Sequence, residues 1–198
     1  MMRSDRWWKI NGPSILRPFE AEQVKTRENL LDETIKAVSY GTSSAGYDLR
    51  LSSVGIRSFH VSRTCHTVDP KAFNEAVLRD QGIHTDSTGD YYLIEPHGYA
   101  LGLSAEEITM PRDHVGIVIG KSTYARCGLF VNTTPLEPEW RGYLVIELAN
   151  LTETRIKVYA NEGIGQLMMF PIDLVPMTTY AERAGKYQDQ QTITTARV

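Results

Sequence analysis

Beyond Tyr40 the chain alternates short apolar, β-branched or aromatic runs with Gly, Pro, Asn and Asp. The runs are Tyr47–Leu51, Phe59–Val61, Thr67–Val68, Tyr91–Ile94, Tyr99–Leu103, Val115–Ile119, Leu129–Val131, Tyr143–Leu148, Arg155–Tyr159 and Gly165–Phe170. Turn residues at intervals of about 8–12 between such runs predict a sandwich, jelly roll or barrel. Helix is scarce. A short helix over Ser4–Ile10 with Ser4 as N-cap, another over Lys71–Arg79 after Pro70, and a helical turn at Thr123–Cys127 are the candidates. Pro13 and Pro18 predict an extended or turning segment after the first helix. Glu20–Lys36 is polar with weak periodicity and reads as irregular, with at most one strand. No repeat or linker divides the chain, so the expectation is one β-rich domain over residues 1–198. Its polar end, Tyr180–Val198, is expected to be a flexible tail.

Composition narrows the function classes. The 198 residues are 41% hydrophobic and 23% charged, as in soluble globular proteins. A net charge of -3 provides no global basic field, which argues against a nucleic-acid partner; an anionic ligand would need a local cluster of donors. No apolar run approaches the roughly 20 residues of a membrane helix, so no membrane partner is expected. The N-terminal stretch lacks the apolar core of a signal peptide. Only Cys65 and Cys127 are present, too few for a disulfide framework, and a cytoplasmic location is expected. The histidines at 60, 66, 84, 97 and 114 fall into no zinc-binding spacing with them, so no protein-bound metal is expected.

Four segments place polar groups where a β core would not want them. Gly120-Lys121-Ser122-Thr123-Tyr124-Ala125-Arg126 follows an apolar strand and offers a glycine, cations, hydroxyls and helical-turn amides, a set suited to phosphate. It equally reads as a helix start capped by Ser122, with Lys121 and Arg126 in solvent. Glu147 interrupts the apolar strand of Tyr143–Leu148; buried, such a carboxylate has a raised pKa and suits general-base work, with Arg126 as its orienting partner. Facing solvent on an edge strand, it would be unremarked. Asp48 and Arg50, in Val38–Arg50, share a face by the two-residue period, and an ion pair at a subunit contact is the simplest reading. The tail carries Tyr180, Lys186 and Gln190, and could fold over a ligand and exclude water.

Together these segments resemble the dCTP deaminases of the trimeric dUTPase superfamily. The likeness runs from SDRWW through VSYGTSSAGYDLR, GKSTYARCGL, NTTPLEPEWRGYLVIEL and YANEGIGQL to GKYQDQQ. It implies a mainly β fold, a distorted jelly-roll-like β-barrel of the dUTPase type with a few short helices. It also implies a homotrimer with active sites shared between neighbouring subunits, and hydrolytic deamination of dCTP to dUTP and ammonia. By the resemblance, Lys121, Ser122, Thr123, Tyr124, Ala125 and Arg126 form the phosphate-binding segment. Glu147 is the general base on water, with Ser122 and Arg126 positioning water, carboxylate and intermediate. Val145 and Ile146 line the base and sugar site, and Gln166, Tyr180, Lys186 and Gln190 hold the nucleotide. A backbone carbonyl near Thr133 or Thr134 helps hold the water and the amino group. Magnesium is carried on the triphosphate, and zinc takes no part.

Two departures from the pattern bear on activity. Where triphosphate-cleaving relatives have an aspartate, this chain reads Leu136-Glu137-Pro138-Glu139-Trp140. A longer carboxylate would displace a hydrolytic water by roughly a C–C bond length, which favours a deaminase that leaves the triphosphate intact. Lys121 stands where some members have arginine, keeping charge but losing the bidentate fork. The alternatives are a dUTPase or bifunctional enzyme, and a noncatalytic nucleotide-sensing protein on the same fold.

Overall fold

The computed structural model describes residues 1–29 and 31–198. Helix α1 (Asp5–Ile15) runs into β1 (Leu16–Arg17) and a hairpin of β2 (Val24–Glu28) and β3 (Thr34–Ser43). β4 (Gly46–Arg50), β5 (Ile56–Phe59), β6 (Leu78–Gln81), β7 (His84–Asp86) and β8 (Gly89–Ile94) follow. Next come the long strands β9 (Tyr99–Thr109) and β10 (His114–Gly120). Helix α2 (Ser122–Ala125) leads to β11 (Leu129–Asn132), β12 (Arg141–Asn150), β13 (Ile156–Tyr159) and β14 (Gly163–Pro171).

The strands make three antiparallel sheets. One runs β11-β12-β9-β5-β6 with β1 also on β9, the second β10-β14-β4-β3-β2, and the third β13-β8-β7. This is the mainly β, jelly-roll-like architecture expected. Both larger sheets feed one core: Tyr47 and Leu49 of β4 and Leu167 and Met169 of β14 meet Ile146 and Leu148 of β12 and Ile108 of β9. The alternation in β12 explains its placement, since Leu144, Ile146, Leu148 and Asn150 are buried while Tyr143, Val145, Glu147 and Ala149 lie on the more open face. The β12–β9 register shifts between Tyr143 and Val145. There the Leu144 N–H donates to the buried Ser104 hydroxyl at 2.9 Å, so the irregularity leaves no orphaned donor.

Several expectations are corrected. α1 does not stop before Pro13 but passes through it to Ile15. Pro13 removes one helix hydrogen bond, yet Trp8 and Ile15 are buried in the core, and tertiary packing overrides the proline. Ser4 is the N-cap residue, but its side chain makes no capping bond. Glu20–Lys36 holds parts of two strands; both face solvent along much of their length, which is why periodicity was weak. Lys71–Arg79 is not a helix: a 3₁₀ turn at Glu75–Val77 gives way to β6. Val77 and Leu78 are both buried where the turn meets β6. Thr67–Val68 forms no strand, with Val68 half exposed. No helix among the described residues is long and apolar enough to cross a membrane.

Candidate active site

Glu147 sits on the open face of β12, the strand between β11 and β9. Its direct cross-strand partner is Asn132 of β11, whose amide donates to Glu147 Oε2. On the other flank Tyr99 of β9 pairs with Ala149, one diagonal step from Glu147. Burial pushes the Tyr99 phenol up to about 12, and the Glu147 carboxylate beside it adds to the shift. The Tyr99 ring is itself held edge-on by Phe59, centroids 5.3 Å apart. Val145 shares the face of Glu147. Ile146 does not: it points into the core, fully buried, so its side chain cannot line a base or sugar pocket.

The expected pairing of Glu147 with Arg126 is absent within one chain. Arg126 and Ser122 are exposed, and among the described residues neither makes a side-chain hydrogen bond to Glu147. They enter beyond Leu129, which pairs with Asn150, whereas Glu147 pairs with Asn132 at the opposite end of β11, about 10 Å of strand away.

The rest of the 121–126 segment divides sharply. Lys121 is turned inward: Nζ lies 2.7 Å from Asp48 Oδ2 and 3.2 Å from Ser39 Oγ, and its N–H donates to Ile164 O. Two of the three ammonium donors and the backbone amide are thus engaged within the chain. Asp48 therefore pairs inside the chain, not at a subunit contact, and Arg50 pairs separately with Glu106 at 2.7 Å. Burial pushes the Glu106 carboxyl up, against the pull of that guanidinium. Tyr124 is a core residue whose hydroxyl accepts from the Tyr159 N–H at 2.8 Å; burial raises its phenol strongly. Gly120 allows close approach, but to Val131 of β11, whose Cβ would lie 2.9 Å from an added methyl. Ser122, Thr123, Ala125 and Arg126 remain on the surface. Thr123 opens on a groove of about 840 Å³ that Lys25, Lys36, Ser39 and Thr88 also line.

Gln166 of β14 donates to Ser43 Oγ at 2.6 Å, within the β3–β4 turn. The 180–191 segment lies along the start of β12. Gln190 is buried, donates to Tyr143 O at 2.7 Å and bridges to Gly142. Trp140 Nε1 donates to Tyr187 O, and the Tyr180 hydroxyl accepts from the Tyr187 N–H. Lys186 is exposed and donates to Arg197 O. Both carboxylates of the 136–140 turn are engaged: Glu137 by Arg183 at 2.5 Å, Glu139 by Thr179 at 2.6 Å and Arg112 at 3.2 Å.

A family model for dCTP deaminase-like proteins matches residues 16–172. A curated dCTP deaminase of Francisella philomiragia is 42% identical over 197 residues, covering 98% of this chain and 97% of the relative. The chain belongs to the dCTP deaminase-like family. A dCTP deaminase of Francisella tularensis subsp. novicida matches with the same identity and coverage. Among solved structures, the 2'-deoxycytidine 5'-triphosphate deaminase of Agrobacterium tumefaciens superposes with TM-score 0.54 at 15% identity, over 85% of this chain and 46% of that one, a likeness of fold. Within this family fold, Asn132 and Tyr99 are the neighbours of Glu147 that motif reading passed over. Pairing the apolar run 129–131 against 143–148 as a hairpin would have brought Asn132 opposite the carboxylate.

Proposed function

We propose that the chain is a dCTP deaminase, converting dCTP and water to dUTP and ammonia with Glu147 as general base. The observation that carries this reading is a half-buried carboxylate held on the open face of β12, in a chain whose near full-length relatives are named dCTP deaminases. Glu147 takes a proton from water and passes it to N3 of cytosine. The hydroxide adds to C4, Glu147 then carries the proton of the new hydroxyl to the amino group, and the C–N bond breaks to release ammonia as the C4 carbonyl of dUTP forms. Magnesium enters this reading with the substrate, on the triphosphate.

Ser122 and Arg126 reach Glu147 from an adjacent copy of the chain in this proposal, with a homotrimer as the assembly. Two observations support it. The two halves of the site lie beyond opposite ends of β11, and Ile117, Ile119 and Phe130 leave apolar side chains exposed on the neighbouring strands β10 and β11. Glu137 and Glu139, engaged by Arg183, Arg112 and Thr179, stand where triphosphate-cleaving relatives have an aspartate, and the longer side chain favours a deaminase without triphosphate hydrolysis.

The test is Glu147→Gln with dCTP. Binding by calorimetry should stay within about threefold, while ammonia release falls on the order of 10²–10⁴-fold. Turnover near that of the parent would remove Glu147 as the base. Pyrophosphate release from dUTP by the parent would replace the reading with a bifunctional one.

A further inference from the structure

We infer that Asn132 and Tyr99 are positioning residues which clamp the Glu147 carboxylate from its two flanking strands, and that this clamp is complete within one chain. The inference rests on the deaminase reading of Glu147. A glutamate on an open strand face has free rotation about its side-chain bonds, and a general base must present one oxygen along a fixed line to water. Here the freedom is removed from both sides. Asn132 stands directly opposite on β11, and its amide N–H₂ faces Glu147 Oε2. The reverse orientation would set the amide oxygen against a carboxylate that only accepts. Tyr99 approaches from β9, with its ring fixed against Phe59. Its phenol is held in the neutral form by burial, so Tyr99 brings no second anion to Glu147. An amide donor on one side and a neutral ring on the other therefore restrict the carboxylate without placing a formal charge beside it. Arg126, by contrast, lies outside this arrangement in the single chain, so the base is oriented before any second copy supplies a guanidinium.

Asn132 is exposed and Tyr99 is about a third exposed, so replacing either should leave the fold intact. The test compares Asn132→Ala, Asn132→Asp and Tyr99→Phe with the parent, measuring ammonia release from dCTP across pH 5 to 9. Asn132→Ala should lower kcat about 10–100-fold with KM within about threefold, and Tyr99→Phe should do the same more weakly. Asn132→Asp keeps the shape but faces Glu147 with a like charge. Its acidic limb in kcat/KM should move to higher pH, a signature that loss of structure alone would not produce. Unchanged kcat and an unmoved acidic limb in both Asn132 variants overturn the clamp, as does an effect confined to KM. A parent chain that releases no ammonia from dCTP overturns the deaminase reading, and the clamp's role falls with it.

Discussion

The Lys121–Asp48 contact makes a quantitative prediction that links the residue before α2 to the core. Nζ and Oδ2 are 2.7 Å apart, with only 12% and 5% of the two side chains exposed. At an effective dielectric near 20 the gross attraction is about 6 kcal/mol, and most of it offsets the loss of hydration of both ions. Removing one partner strands the other. Lys121→Met leaves Asp48 with only the Gln23 amide at 3.2 Å and should cost about 3–4 kcal/mol of stability. Asp48→Asn should cost less, about 2 kcal/mol, because the lysine stem can carry its ammonium towards the groove and water. The double variant removes both charges and should lose about 2 kcal/mol in total, giving a coupling of about 3 kcal/mol. Urea unfolding followed by tryptophan fluorescence, at fixed protomer concentration and with unchanged m-values, measures the cycle. A coupling below about 0.5 kcal/mol would show that the two groups do not depend on each other in the folded chain, and the inward placement of Lys121 would fail with it. Because Lys121 immediately precedes α2, each single variant should also raise KM for dCTP.

Two further outcomes follow from other contacts. Burial raises the Glu162 carboxyl above its ordinary value of 4.5, with the Val38 N–H and Arg27 at 3.5 Å opposing the shift. A raised folded pKa makes its contribution to stability complete below the unfolded value and lost as pH rises through the folded one, so the stability of Glu162→Gln relative to the parent should increase as pH rises from 4 to 7. A thermal-melt difference that is constant over that range would contradict the assignment. Gly142 has φ +139, and an added Cβ would lie 2.7 Å from the Gln190 backbone. Gly142→Ala should loosen the 180–191 segment, seen as faster proteolytic cleavage there and a higher KM for dCTP; unchanged cleavage would show that the bridge does not hold the segment.

How far the chain could be read in advance depended on how local each determinant is. The long strands β10, β12 and β14 were legible because burial follows the two-residue period within the apolar run of each, β9 because its run is buried continuously from Ala100 to Ser104, and β12 also announced that a carboxylate broke the pattern. The hairpin of β2 and β3 was not, because its faces are too exposed to leave an apolar period. Ion pairing failed for a different reason. Asp48 and Arg50 are two residues apart, but their partners are Lys121 and Glu106, chosen by sheet packing across the chain. The helical turn after β10 was legible from the sequence, yet which of its side chains face outward depends on α2 sitting over the core, and that sends Tyr124 and Lys121 inward.

The chemistry and the stability of this fold meet in the register of β12. Ile146 is fully buried and Glu147 is its neighbour, so a slip of one residue would exchange them. That exchange would place an ionised carboxylate in the core without its Asn132 donor, which costs several kcal/mol, and would expose a large apolar side chain as well. Leu144 and Leu148 add to the same bias, since both are buried on the face of Ile146. Glu147 is therefore not aimed by contacts at its own tip alone. The alternation of apolar residues on the opposite face excludes the odd-residue slips that would turn Glu147 inward, and the cross-strand neighbours Asn132 and Tyr99 then set its final direction. It follows that core substitutions at Ile146 should disturb turnover through register and packing even though the side chain never faces the open side of the strand.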